Sequence, residues 1–387
     1  MWQILLWGDL QDHSLISSLK SKFPPLSQIA KSRGWLYSRG FQVKGGCEND
    51  AEHLLGMRLV PAEAIEAFRV IDDATERFDH AVLHRPRSEK LFEAPVLLIR
   101  RGIRQGRPVA WLSTQDVTFN DSVIGLSGPQ EDIDHLRIVS GIVHSSLAQY
   151  FHFLTSSSWG AERNYIELGE HFSLPVPALG SDSQPSVLEV VKAIESFGLT
   201  SELQDQLDSC VFEAYGLLPE DVDRVTDMVN VTIDHFRRGE NSVGVAEPSR
   251  KVLDEYRECL IRGIETVFPS TEIEVVFALT PDFYIVASCQ VTPPGHSQAG
   301  SYSSGTRTAD SSSGIGGVLL QAVEHQDQAW SATSTVLQPS LLVLEGDRAH
   351  VVKPRETRFW TKTRARSDAG DVMAALAGRG RVSHASS

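Results

Sequence analysis

Apolar positions change period several times along this chain, and each change marks an element. Between Gln130 and Ser158, Ile133, Leu136, Ile138, Val139, Ile142, Val143, Leu147, Tyr150 and Phe151 recur with the spacing of one helix face. The spacing predicts a helix of several turns. It stops at Thr155–Ser158, where hydroxyls compete with helical backbone bonds. Upstream, "FEAPVLLIRRG" from Phe92 is a continuous apolar run and reads as a buried strand, and "RPVAWLSTQDVTFNDSVIGLSG" reads as a strand pair with an Asn120–Asp121 turn. Nearer the start, "DHSLISSLKSKFPPLSQIAKSRGW" is amphipathic. Asp12 or Ser14 caps a first helix there and Pro24–Pro25 ends it, while "GFQVKGG" is a strand-like piece closed by Gly45–Gly46.

The second half reads as helices and then strands. "SELQDQLDSCVFEAYGLLPEDVDRVTDMVNVTIDHFRRGE" is a helix, a turn and a second helix that opens on Pro219, and a third begins near Ser249. The runs "EIEVVFAL", "FYIVASCQV", "IGGVLLQAVE" and "PSLLVLEGDRAHVVKP" are strands, and "SDAGDVMAAL" is a final helix. The fold class expected is α+β: a mixed α/β domain, a helical segment and a C-terminal α/β domain. The divisions are residues 1–60, 61–180, 181–268 and 269–376, with a mobile Pro/Gly/Ser-rich loop at 292–313 and a disordered tail at 377–387.

At 387 residues and 41% hydrophobic, the chain has material for more than one core. No run of about 18 apolar residues suggests a membrane span, and the opening stretch, turning acidic at Asp9, does not read as a signal peptide. Cys47, Cys210, Cys259 and Cys289 are scattered, which fits free thiols in a reducing cytoplasm and gives no metal motif. The net charge of −14 argues against a nonspecific polyanion binder, but the acidity is concentrated between Asp182 and Glu274 and leaves room for a basic face elsewhere.

No P-loop, HExxH, GxSxG or kinase signature is present, and no catalytic constellation stands out. Candidate nucleic-acid chemistry is easier to find. Arg100, Arg101, Arg104 and Arg107 lie in one strand-and-loop stretch, and guanidinium forks match phosphate oxygens and guanine edges. A solvated strand end is the plainer alternative. Thr155, Ser156, Ser157 and Ser158 offer hydroxyls and amides for a phosphate. Trp159 either stacks on a base or plugs a core, and Arg163 either pairs with Glu162 or reaches a phosphate. A second basic run carries Lys353, Arg355, Arg358 and Lys362 with Phe359 and Trp360 interleaved. That mixture suits backbone-plus-stacking contacts, or equally aromatics packed inward under solvated cations.

The stretch "APVLLIRRG … LRIVSGIVHSSLAQYFHFLTSSSWGAERNYIELGEHFSLPVP" resembles the target-recognition region of N6-adenine DNA methyltransferases of the type IIG-like, Eco57I class. The likeness lies in a basic strand, a helix reading "IVSGIVHSSLAQYF", a polar turn and an "LPVP" stop. Softer likeness extends to "VFEAYGLLPEDVDRV" and "VVKPRETRFWTKTRARSDAGDVMAAL", towards defence-associated relatives. The chain departs from that family where chemistry is concerned. It has neither the [NDS]PP[YFW] motif nor the glycine-rich loop for S-adenosylmethionine; "FPPL" and "TPPG" lack the needed residues. The resemblance therefore implies a specificity subunit that binds double-stranded DNA and works with a separate methyltransferase in a restriction-modification or phage-defence system. S-adenosylmethionine would sit on the partner and no cofactor on this chain. Trp2, Leu5, Leu6 and Trp7 would form the docking edge for that partner. The other class of reading is a non-catalytic scaffold of a defence complex, which the acidic middle segment favours.

Overall fold

The computed structural model describes residues 2–161, 163–179, 185–269, 271–279, 284–292, 307–308, 340–345 and 348–383. It contains helices and mainly antiparallel sheets, an α+β fold, in two compact units, Met1–Val229 and Asn230–Ser387. The division falls within a π-helical turn, Met228–Ile233.

The first unit opens with helices α1 (Trp2–Trp7), α2 (Leu10–Lys22) and α3 (Leu26–Ser32). Asp9, rather than Asp12 or Ser14, caps α2, because Asp9 and Asp12 form a reciprocal capping box around its first turn. Strands β1 (Leu36–Arg39), β2 (Val96–Arg100), β3 (Ala110–Ser113) and β4 (Val123–Ser127) follow and make one antiparallel sheet of order β1-β4-β2-β3. The unbroken apolar run of β2 is explained by burial on both faces. Val96 and Leu98 join a core with Phe41, Phe92 and Phe119, while Leu97 and Ile99, also fully buried, point to the opposite face.

The long apolar pattern after Gln130 forms two helices, α4 (Ile133–His144) and α5 (Ser146–Thr155), not one. Ser145 is extended and caps α5 by accepting from Ala148 N, and the amide and hydroxyl of Ser146 both donate to Asp208 at 2.6 and 2.7 Å. The apolar spacing carries across the break without a phase change, so periodicity alone does not reveal it. After α6 (Leu168–His171) come α7 (Pro185–Phe197), α8 (Ser201–Tyr215) and α9 (Pro219–Asp227). Gly216, at φ 61°, ends α8, and Pro219 opens α9.

In the second unit α10 (Asp234–Arg238) and α11 (Arg250–Glu265, capped by Ser249) precede β5 (Glu272–Leu279), β6 (Tyr284–Thr292), β7 (Leu341–Glu345) and β8 (Arg348–Pro354). The sheet order is β5-β6-β8-β7, with Arg307–Thr308 parallel to the outer edge of β5. One face carries Phe277, Ala287 and Val351 against Tyr256 of α11 and Trp360. The final helix, α12, runs from Lys362 to Ser383, so the segment expected to be disordered after Leu376 is helical as far as it is described. The strand expected at "IGGVLLQAVE" and most of the loop expected to be mobile at 292–313 lie outside the described residues.

Candidate nucleic-acid interface

One end of the first unit's sheet gathers arginines. Arg39 closes β1 opposite Ile124, and Arg100 closes β2 opposite Val123, so the register puts both at the same edge of the sheet. Arg101 follows at once. Its amide donates to Ser122 O, and Ile166 N donates back to the Arg101 carbonyl, which fastens the segment after the serine-rich turn against this edge. Arg104 and Arg107 face each other across a two-residue hairpin in which Gln105 and Gly106 take positive φ. Two further arginines, which sequence reasoning missed, arrive from residues 84–90: Gln42 and Arg85 exchange both backbone hydrogen bonds, and Arg87 Nε donates to Gly40 O at 3.1 Å.

Among the described residues the carboxylates here are fewer than the cations. Arg39, Arg85, Arg87, Arg100, Arg101 and Arg104 meet Glu63, Glu66, Asp121 and Glu167. Glu167 is shared by Arg39 and Arg101, and Glu66 is shared by Arg104 and Arg69. Burial and then the Arg104 charge lower the Arg100 pKa from its ordinary value. Its guanidinium lies over Gly102, where a Cβ would come within 3.3 Å of Nε. Arg101 Nη2 donates to Glu167 at 2.9 Å, and its guanidinium sits 5.2 Å from the Tyr165 ring. Arg163 donates to Tyr165 Oη at 3.2 Å, while Glu162 lies outside the described residues. Arg107 turns the other way and donates to Gln204 at 2.9 Å.

The serine-rich turn is organised around a carboxylate of its own chain. Ser156 Oγ donates to Glu170 at 2.8 Å and Ser157 N at 2.6 Å, and the Thr155 hydroxyl bonds back to Phe151 O. Burial works against ionisation of Glu170, but the amides of Glu167 and Ser157 and the hydroxyls outweigh it and hold its pKa below the ordinary value. The expectation that this turn receives a DNA phosphate is corrected accordingly, since Glu170 fills the anion position for Ser156 and Ser157. Ser158 lies beside the Tyr165 hydroxyl. Trp159 is 1% exposed and meets Phe153 edge-on at 5.4 Å, so it belongs to the core and not to a base stack. In α5 and α6, His152 and His171 are buried with centroids 5.1 Å apart, and among the described residues neither ring nitrogen of either has a hydrogen-bond partner.

The second basic run is absorbed inside its own unit. Lys353 is 2% exposed and bonds to Asp368 and to Phe359 O beneath the Tyr256 and Trp360 rings, which removes it from any surface contact. Arg355 pairs with Glu247, Arg358 with Glu356, and Lys362 with Glu255. In α1, Trp2, Leu5 and Leu6 are exposed. Trp7 is turned inward instead, its indole donating to Gly160 O at 2.9 Å. Among the described residues no group of three or more His, Cys, Asp or Glu is placed to hold a metal ion, and no helix is long and apolar enough to cross a membrane.

No protein-family model matches the chain, and no curated protein matches it. A solved structure to which it is similar comes from work on complex assembly and conformational transition of the type I R-M system. That likeness has a TM-score of 0.23 and 13% identity, and it covers 59% of this chain and 55% of the other, about half of that chain's length. A score this low does not establish a common fold.

Proposed function

We propose that this chain is a DNA-recognition subunit that acts with a separate S-adenosylmethionine-dependent N6-adenine DNA methyltransferase in a bacterial restriction-modification or phage-defence system. The observation that carries the reading is the arginine-rich end of the first unit's sheet, where six guanidinium groups from three stretches of chain meet four carboxylates among the described residues. Such an excess attracts a polyanion despite the acidic total. The hairpin Arg104–Arg107 and the loops beside it are the parts suited to groove edges, while arginines anchored at the sheet end suit phosphates. The resemblance to methyltransferase target-recognition regions supports the same assignment. The methyl donor and the catalytic motif would be the partner's. Trp2, Leu5 and Leu6, with Leu10, are the exposed apolar strip for docking it.

That strip also favours a second reading, a non-catalytic scaffold held in a defence complex by α1. A titration of double-stranded DNA across salt, with the chain alone and with the methyltransferase, separates the two. A recognition subunit gives salt-dependent, sequence-selective binding, with methyl transfer only in the pair. A scaffold gives assembly without DNA affinity.

A further inference from the structure

The segment His84–Lys90 brings cations together in a way that internal packing does not explain. Arg85 is exposed, and its side chain has no hydrogen bond or ion pair among the described residues. Arg87 holds φ at 71°, a left-handed backbone that a side chain disfavours, and its guanidinium is tethered by one edge to Gly40 O. Burial, and then the charges of Arg85 and Arg39 beside it, hold the Arg87 pKa below its ordinary value, with Asp121 acting in the opposite direction. The paired backbone bonds between Gln42 and Arg85 keep the segment from relaxing away from β1. The chain therefore maintains backbone strain and like-charge crowding at one spot, a combination expected where an anion completes the site.

We propose that Arg85 and Arg87, with Arg39 beside them, form a binding site for a phosphodiester group of the DNA backbone. The contact is independent of base sequence and fixes the register in which the Arg104–Arg107 hairpin meets the groove. The inference rests on the DNA-binding reading and adds to it the position and chemical class of one contact. Arg87, with the charges of Arg85 and Arg39 beside it, offers guanidinium forks that match the oxygens of a phosphate better than a base edge, which presents two acceptors at most.

Arg85→Ala removes a cation with no internal partner and leaves the fold intact. Arg87→Gly removes the other and relieves the left-handed backbone, so its melting temperature should stay level or rise. The full chain and the double variant are titrated with matched and mismatched duplexes at several salt concentrations. We expect weaker binding to every duplex alike, unchanged discrimination, and a log–log salt slope shallower by roughly 1, for the one phosphate that these arginines share. An unchanged slope in the double variant, with the wild-type chain binding DNA, overturns this inference and leaves the DNA reading standing. Loss of discrimination without loss of slope would make these arginines base readers and overturn it as well. Absence of DNA binding by the wild-type chain and its partner overturns both.

Discussion

The backbone N–H of Ser157 donates to the carboxylate of Glu170 at 2.6 Å, and the adjacent Ser156 hydroxyl reaches the same carboxylate at 2.8 Å. A turn whose composition suggests an external phosphate is thus neutralised from within, 13 residues downstream of the amide it satisfies. Glu170→Ala should leave these donors unsatisfied and destabilise the first unit by about 2–4 kcal/mol, with Glu170→Gln costing roughly half as much. Urea titrations of the two variants test this. A phosphate-binding role for the turn would instead show as a loss of DNA affinity at unchanged stability.

Glu167 holds Arg39 and Arg101 at the sheet end. Glu167→Gln removes the negative charge nearest two proposed DNA contacts, so affinity for duplex DNA at low salt should rise roughly five-fold. The gain should shrink as salt is added. Anisotropy titrations at low and high salt check it, and a fall in affinity would mean that Glu167 positions the arginines more than it competes for them.

Acid should loosen the first unit. Burial lowers the pKa of His144 and of His152 from 6.5 to about 4, and burial and then the neighbouring His152 push His171 well below its ordinary value. Groups with depressed histidine pKa values take up protons more readily unfolded, so the stability is fully present above pH 6.5 and is lost as pH falls towards 4. His144 and His152 should each contribute roughly 3 kcal/mol to that loss. Hydrogen exchange of α5 amides between pH 7 and pH 4.5 reads it. Because the ring nitrogens of His152 and His171 have no hydrogen-bond partners among the described residues, a His152→Leu, His171→Leu double variant should flatten the acid limb at little cost near pH 7.

Lys353 and Asp368 form a buried pair to which Tyr256 also donates, at 2.6 Å. Lys353→Met strands a buried carboxylate and should cost about 3–5 kcal/mol. Adding Asp368→Leu should recover most of that. Thermal melts of the single and double variants decide, and DNA affinity should be unchanged in both.

Much of the helical order was legible because its signals are local. Gly216 ends one helix, Pro219 opens the next and Ser249 caps another, each within a few residues of the effect. The break at Ser145 was not, since the apolar face runs through it and its fixing contact comes from Asp208. Lys353 looked like a surface cation in a basic run. Strand parity puts it on the same side of β8 as Ala349 and Val351, a signal available in "RAHVVKP" once the strand is drawn. Of the interface, Arg100, Arg101 and Arg104 could be read because they are adjacent in sequence. Arg85 and Arg87 join them only through the bridge between Gln42 and Arg85, and Arg39 through strand register, which no local pattern encodes.

The attachment of α1 also bears on how the chain is made. Gln3 and Trp7 bond to the carbonyls of Trp159 and Gly160, contacts spanning 156 and 153 residues. At about 5–20 residues per second, a ribosome takes roughly ten to thirty seconds to deliver the receiving turn after the helix has emerged. For that interval an apolar helix has left the exit tunnel with its seat not yet made, and a chaperone shielding it would improve yield more than one acting on the finished protein.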